Sequence, residues 1–212
     1  MKTACGTGAL DWSVASRPLP GEERSGDDHF VAETATGWLL AVADGLGHGP
    51  EAAAASTAFV EVLKQNIEES PVALIRLCHA ALRNTRGSAA TVVRIDRSCS
   101  LLSWAGVGNV EGVIRHTHPA AASTEYITMR GGIVGYRIPG LQPSFLQLLD
   151  GDILVLATDG IDGNFVQAIS SSHPPDMLAG HILHHYAKPT DDALVLVARW
   201  RFPSTAQGVS SP

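Results

Sequence analysis

Two aspartates each come at the end of an apolar run and directly before a glycine. Asp44 follows the run LLAVA, and Asp159 follows the run ILVLAT. Two acidic pairs stand just before other strand-like runs, Asp27-Asp28 before HFVAE and Asp191-Asp192 before ALVLVARW. Residues at the point where a buried strand enters a loop often carry function, because a rigid scaffold holds them in place. These four acidic positions are therefore the first candidates for chemistry.

If these strand ends meet in the folded chain, their carboxylates repel one another and require a compensating cation. Hard divalent ions such as Mg²⁺ and Mn²⁺ take carboxylate, carbonyl and water oxygens as ligands. The glycine after each aspartate lets the backbone turn sharply and present a carbonyl. The alternative is that Asp-Gly serves here only as a common turn dipeptide. The recurrence of acidic strand ends in a chain with few charges favours the metal site.

The glycine loop after Asp44, GLGHGP, does not match a nucleotide-binding loop. It fits neither GxGxxG nor GxxxxGK[ST], and a nearby carboxylate repels a phosphate bound directly to such a loop. Gly45, Gly47 and Gly49 can still approach a phosphate if metal stands between it and Asp44. A protein nucleophile is not indicated, because no cysteine stands in a CxxxxxR loop and Ser56 is not part of GxSxG.

Composition excludes several broad classes of protein. The chain has 212 residues, 45% of them hydrophobic, and a formal net charge of −6, so we expect no general attraction for nucleic acid or anionic membranes. Cys5, Cys78 and Cys99 suggest neither a disulfide framework nor a zinc site. With neither a signal peptide nor a membrane-spanning run, the sequence predicts a soluble, cytoplasmic protein.

The order of the elements predicts one α+β domain over residues 1–202, followed by a disordered tail at 203–212. Two or three successive antiparallel strands are predicted before Asp44, two helices follow after Pro50 and Ser70, and strands return from Ala89 onward. Short helices are predicted at 162–170 and 175–186, and Asp150-Gly151 is interpreted as a tight, hairpin-like turn. This order is typical of a four-layer αββα sandwich, with two antiparallel sheets packed together and helices outside both.

Six segments resemble a known family in order and rough spacing: SGDDHF, AVADGLGHGPEAA, NTRGSAATVV, WAGVGNVEGVI, LVLATDGI and TDDALVL. They are similar to the metal-dependent type-2C (PPM) protein phosphatase superfamily, most of all to its SpoIIE-like branch and the short stressosome phosphatases within it. The resemblance implies a β-sandwich with two Mn²⁺ or Mg²⁺ ions at one edge. It also implies hydrolysis of phosphoserine or phosphothreonine by metal-activated water, on phosphorylated STAS-type regulators of a stressosome or partner-switching pathway.

The resemblance also implies roles for individual residues. Asp44 would bind both ions, and Gly45 would offer its backbone carbonyl. Asp27 would bind the second ion, and Asp159 and Asp191 would bind the first. Which of Asp191 and Asp192 faces the metal is open, because many relatives have asparagine at the position of Asp192. The implied metal ligands are Asp44, Gly45, Asp27 with Asp28 as the alternative, Asp159, and Asp191 or Asp192.

Two other residues are candidates for work on the substrate. His48 could protonate the leaving serine oxygen, or merely hydrogen-bond across its turn. Arg24 lies near the position where eukaryotic relatives hold the phosphate with an arginine, although its spacing differs. No extra flap segment is evident from the sequence. Two other functions stay open: a catalytically silent binding module of the same fold, and a metal-dependent phosphoesterase of small molecules.

Overall fold

A computed structural model describes residues 9–118 and 122–202. Within those ranges the chain forms ten β-strands, three α-helices and two short 3₁₀-helices. The strands are β1 Ala9–Arg17, β2 Asp27–Glu33, β3 Gly37–Gly45, β4 Ser88–Asp96, β5 Leu101–Val107, β6 Glu111–His116, β7 Ser123–Ile127, β8 Ser144–Gln147, β9 Ile153–Ala157 and β10 Ala193–Arg201. The helices are α1 Pro50–Gln65, α2 Pro71–Ala81 and α3 Pro175–Tyr186, and the 3₁₀-helices are Leu82–Asn84 and Gly163–Ala168.

The strands form two five-stranded antiparallel sheets that pack face to face. One sheet has the order β1-β10-β9-β6-β7 and the other has the order β2-β3-β4-β5-β8. The interior between them is apolar and includes Leu40, Val42, Leu156, Leu196 and Trp200. This is the burial pattern of a sheet sandwich, in which alternate side chains of each strand point inward.

Helices cover the outer face of each sheet. The first two helices pack on β3, β4 and β5 through a cluster that contains Phe59, Leu63 and Ile75. The third helix and the second 3₁₀-helix cover β6, β9 and β10. The predicted α+β sandwich with helices on both sides is confirmed.

The helices begin where the sequence provides helix-start residues. Pro50 and Pro71 occupy first helical positions, where the missing N–H costs nothing. The Ser70 side chain accepts a hydrogen bond from the N–H of Ala73 and caps α2. The third helix spans the predicted range 175–186, whereas the segment predicted as a helix at 162–170 is a 3₁₀-helix.

Two predicted local connections are wrong. The Asp150-Gly151 turn does not form a hairpin, because β8 and β9 on either side of it belong to opposite sheets. The Leu148 N–H bonds to the carbonyl of Ser100 beside one sheet, while the Asp152 carbonyl accepts from Trp200 in the other. Similarly, β1 pairs with β10 and not with its neighbour in sequence, β2. Both connections carry the chain between sheets, which local alternation of polar and apolar residues cannot reveal.

Some sequence predictions concern regions that these findings do not reach. The tail at 203–212 and Cys5 lie outside the described residues, so the 1–202 domain boundary stays a prediction. Cys78 is buried and Cys99 is exposed, and both are free thiols. No helix of the described chain is long and apolar enough to span a membrane.

Candidate active site

Acidic residues from both sheets come together at one edge of the sandwich. Asp27 in β2 lies directly opposite Asp44 in β3 in the antiparallel register. Asp159 follows the end of β9, and Asp191 precedes the start of β10, the strand that pairs with β9. The charge of Asp159 acts on the other three carboxyl groups. Residues far apart in the chain therefore share one electrostatic environment.

Thr158 joins the two sheets at this edge. Its buried hydroxyl donates a hydrogen bond to Oδ2 of Asp27 at 2.8 Å and accepts one from the N–H of Leu194 at 2.9 Å. Asp27 belongs to one sheet and Leu194 to the other. One threonine thus fixes the position of the Asp27 carboxylate relative to the opposite sheet.

The two aspartates at the start of β2 point to different faces of their sheet. Asp27 is 8% exposed and faces the other acidic residues. The charge of Asp28 acts instead on His29 and on Lys64 in α1, and its Oδ1 accepts from the N–H of His29 at 2.8 Å. Successive strand side chains alternate in direction, so only one residue of such a pair can face the edge site. The structure therefore brings Asp27 into the acidic group and leaves Asp28 outside it.

The aspartates before β10 also differ in what their carboxylates contact. Asp192 is 3% exposed, and its Oδ1 and Oδ2 accept from the N–H groups of Leu19 and Gly26, each at 2.8 Å. Both of its oxygens hold the loop between β1 and β2. Asp191 lines the open cavity beside Asp44. The residue of this pair that is available to a ligand is therefore Asp191.

Burial and mutual repulsion shift the acid–base properties of the site. Burial raises the pKa of Asp44 to about 8, and the neighbouring charge of Asp27 adds to the shift. Burial likewise raises the pKa of Asp27 to about 7, against the lowering effect of the hydrogen bond from Thr158. The pKa of Asp191 is raised by burial and by the charge of Asp159. No hydrogen-bond donor of the described chain reaches the Asp44 carboxylate.

This set of donors fits a hard divalent cation in chemical type and in charge. Its donors are the carboxylate oxygens and the backbone carbonyl of Gly45, the residue after Asp44. Mg²⁺ and Mn²⁺ take oxygen ligands of these two kinds. Gly45 lies against α1 so closely that a β-carbon there would be 2.1 Å from the carbonyl oxygen of Ala52, which explains the glycine at this position. Within the described ranges no three acidic, histidine or cysteine side chains are already close enough to hold a metal ion. Binding therefore requires the carboxylates to turn toward the ion.

A cavity of about 500 Å³ opens beside these carboxylates. The glycine loop after β3 forms one wall, and the long connection between β7 and β8 forms another. No motif in the sequence predicts that this connection reaches the site. The lining residues are Asp44, Leu46, Gly47, His48, Ala89, Gly108, Asn109, Gly131, Gly132, Ile133, Asp159, Thr190 and Asp191.

The two predicted substrate-contacting residues have different surroundings. His48 lines the cavity, and its Nδ1 lies 2.7 Å from Oε1 of Glu22, so this pair fixes the orientation of the imidazole. Arg24 is exposed on the loop between β1 and β2 and does not line the cavity. The geometry therefore favours His48 over Arg24 as a residue that reaches a bound substrate.

Sequence reasoning overlooked several polar residues around the acidic group. Thr158 comes directly before Asp159 in the ATDGI motif, which could have drawn attention to it. Asn109 lies in the GVGNV motif, and its side-chain amide donates to Oδ2 of Asp159 at 2.5 Å. The ammonium group of Lys188 donates to the backbone carbonyl of Asp159 at 2.6 Å, and no motif marked that lysine. Thr158 and Asn109 hold carboxylates and Lys188 holds the backbone of Asp159, and such supporting roles leave only a weak signature in one sequence.

Comparisons with known proteins agree with this geometry. The model of the family Stage II sporulation protein E (SpoIIE) matches residues 34–201. Phosphoserine phosphatase RsbX of Bacillus subtilis (strain 168) is 25% identical over 162 residues, which cover 72% of this chain and 80% of that protein.

Solved structures show the same fold. A chain from a structure of the bacterial stressosome, described as a modular system adapted to control secondary messenger signaling, is 30% identical and superposes with a TM-score of 0.83. The match covers 90% of this chain and 100% of that one. The structure of RsbX in complex with magnesium superposes with a TM-score of 0.80 at 21% identity, over 90% of this chain and 95% of that one.

Proposed function

Since the chain belongs to the family of Stage II sporulation protein E (SpoIIE), we infer that it is a metal-dependent protein phosphatase that removes phosphate from phosphoserine or phosphothreonine. The resemblance identified in the sequence is thereby confirmed. The observation that carries the inference is the Asp44 carboxylate, which is half-buried beside other carboxylates and has no hydrogen-bond donor in the described chain. Such an arrangement is unfavourable in a protein alone and becomes favourable when a cation binds.

We propose that two divalent ions, Mn²⁺ or Mg²⁺, bind at this edge. Asp44 would contact both, with Asp27 and the carbonyl of Gly45 on one side and Asp159 and Asp191 on the other. When bound, such a pair of ions lowers the pKa of a water molecule and neutralises charge on the transferring phosphoryl oxygens. The magnesium in the RsbX structure supports the choice of a hard cation.

The surrounding residues hold this arrangement in place. Thr158 fixes Asp27, the amide of Asn109 fixes Asp159, and Asp192 ties down the loop that precedes β2. The sequence indicates no protein nucleophile, which agrees with direct attack of water on phosphorus.

His48 is the residue placed to help the leaving group depart. Its Nδ1 contacts Glu22, so Nε2 is the ring nitrogen free to face the cavity. We propose that Nε2 supplies a proton to the seryl oxygen as the bond between that oxygen and phosphorus breaks. An alkoxide is a poor leaving group, so the proton matters most for phosphoserine and least for an aryl phosphate.

For the natural substrate we propose a phosphorylated STAS-type protein of a stressosome or partner-switching pathway. Two similarities support this: one relative is named a phosphoserine phosphatase, and the solved chain that is 30% identical comes from a structure described as the bacterial stressosome. The acidic site and the net charge of −6 give no support to nucleic acid as a partner.

The test is incubation of the protein with phosphorylated STAS-domain proteins, with Mn²⁺ or with a chelator, followed by measurement of the remaining phosphoserine. We expect loss of phosphate only with the ion, and loss of activity in Asp44→Asn. Asp28→Asn is the matched control, because it removes the same charge from the opposite face of β2 and should keep activity. A protein that binds Mn²⁺ weakly and removes no phosphate would instead be a silent binding module. Activity confined to p-nitrophenyl phosphate would indicate a small-molecule phosphoesterase.

A further inference from the structure

A second cavity lies next to the catalytic one and has no role in the mechanism above. It has a volume of about 370 Å³ and is lined by Glu51, Ala54, Asn84, Thr85 and Arg86. These residues come from the start of α1 and from the segment between α2 and β4.

Arg86 stands at the boundary between the two cavities. A β-carbon on Gly47 would lie 2.8 Å from Nη1 of Arg86, so the guanidinium rests against the glycine loop that lines the catalytic cavity. Arg86 also lines the second cavity. A substrate chain that lies along the glycine loop, with its phosphoserine in the catalytic cavity, would pass this guanidinium.

The backbone around Arg86 is held firmly. The Gly87 N–H bonds to Oγ1 of Thr85 at 3.0 Å, and the Gly87 carbonyl accepts from the N–H of Leu46 at 3.0 Å. Gly87 has φ +80 and would place any β-carbon 2.6 Å from the carbonyl oxygen of Val134. Glycine alone suits this conformation. The hydrogen bond from Leu46 and the close approach to Val134 hold the segment against both walls of the catalytic cavity.

The present partner of Arg86 indicates what the guanidinium would bind. It forms an ion pair with the carboxylate of Glu51, and these side chains are 47% and 70% exposed. Exposed ion pairs contribute little to folding stability, so another carboxylate can replace Glu51 on Arg86 at small cost in free energy. The planar guanidinium matches the geometry of a carboxylate. Two other basic residues at this edge, Lys188 and His48, already have partners.

We propose that the second cavity is a specificity subsite of the phosphatase, in which Arg86 binds an acidic side chain next to the phosphoserine of the substrate. The carboxylate of Glu51 occupies this position in the absence of substrate and is displaced by the substrate's own carboxylate. The proposal rests on the phosphatase function argued above.

The test uses two phosphoserine peptides that differ only in the residues beside the phosphoserine, glutamate in one and glutamine in the other. Wild type should prefer the glutamate peptide by roughly 5- to 10-fold in kcat/KM, mainly through KM, as suits one partly exposed charge-assisted contact. Arg86→Ala should remove the preference, Arg86→Lys should keep part of it, and Glu51→Gln should increase it. Arg83→Ala is the matched control, because Arg83 is an exposed arginine three residues earlier that lines neither cavity.

The outcomes separate this inference from the proposed function. Equal rates on both peptides in wild type, or a preference that survives in Arg86→Ala, would overturn the subsite while the phosphatase stands. Hydrolysis of p-nitrophenyl phosphate with Mn²⁺ reports on the phosphatase alone. Fluorescence polarisation of the labelled peptides measures binding without turnover, so a protein that hydrolyses nothing still tests the subsite. Equal affinities for the two peptides in that measurement would refute it.

Discussion

Replacing Asp44 by asparagine should stabilise the metal-free protein while it abolishes activity. Asparagine has nearly the same shape and removes a charge that burial and the carboxylate of Asp27 both oppose. Functional sites commonly retain such unfavourable groups at the expense of stability. The prediction therefore tests whether the acidic edge is a site of repulsion in the protein without metal.

The size of the effect follows from the pKa of Asp44. Its pKa is raised from 3.8 to about 8, so at pH 7 the folded chain holds a proton that the unfolded chain has lost. The difference between pH 7 and 3.8 is 3.2 pH units, which at ~1.4 kcal/mol each gives an upper value of about 4 kcal/mol. Asp44 is partly open to the cavity, and solvent screening reduces this value. We expect a gain in the free energy of unfolding of about 2 kcal/mol, or roughly 4–8 °C in Tm for a domain of this size.

The sign of the pH dependence is fixed by the direction of the shift. A carboxyl group with a raised pKa in the folded state favours folding most at low pH. The unfolding free energy of the metal-free wild type should therefore fall as the pH rises from about 4 to about 8, and the slope should be smaller in Asp44→Asn. Added Mn²⁺ should restore the stability of the wild type at pH 7 and have much less effect on the variant.

Urea unfolding in a chelator at several pH values between 5 and 8 measures both quantities. Asp28→Asn serves as the control, because its carboxylate lies on the opposite face of β2 and its loss should leave the slope unchanged. If Asp44→Asn proves less stable than wild type at pH 7 without metal, the reasoning from repulsion is refuted. An unchanged slope with pH would refute it as well.

Three further predictions concern the residues that support the site. Thr158→Val should lower activity at least 10-fold and raise the pKa of Asp27 further, since it removes a hydrogen bond to that carboxylate, and a pH profile of kcat unchanged in shape would contradict this. Asp192→Ala should cost about 2–3 kcal/mol in urea unfolding even with Mn²⁺ present, because two backbone N–H groups lose their acceptor; equal stability with wild type would show that the loop is held otherwise. His48→Gln should reduce kcat on a phosphoserine peptide far more than on p-nitrophenyl phosphate, and an equal loss on both would rule out its role as a proton donor.

The positions of the acidic residues could be anticipated because they depend on a simple property of sheets. Apolar runs that end in Asp-Gly predict strands whose ends lie at a sheet edge, and antiparallel pairing then places Asp27 opposite Asp44. The fold class followed from the order of strands and helices. What the sequence could not supply was the pairing of strands distant in the chain, such as β1 with β10. The wrongly predicted hairpin at Asp150-Gly151 has the same origin, since local turn residues do not reveal which sheet the next strand joins.

The choice within each acidic pair was open for a different reason. It depends on side-chain direction and on hydrogen-bond partners, which the spacing of residues does not define. Alternation along β2 sends Asp27 and Asp28 to opposite faces once the register is known. The contacts of Asn109 and Lys188 with Asp159 likewise depend on how loops pack at the edge, and loops carry little periodic signal.

Two buried aspartates outside the acidic group show how this fold compensates a structural carboxylate. Asp152 is 1% exposed, and its carboxylate contacts the ring of His116 and the backbone N–H groups of Thr117 and Leu149. Asp192 is similarly buried and accepts two backbone N–H groups. This is how a folded chain normally compensates a buried carboxylate. Asp44 is given no such donor among the described residues and is instead placed next to Asp27. Asp44 is half-buried beside another carboxylate and has no donor, in a chain that supplies donors to its buried aspartates, so the compensation of its charge must come from a bound cation.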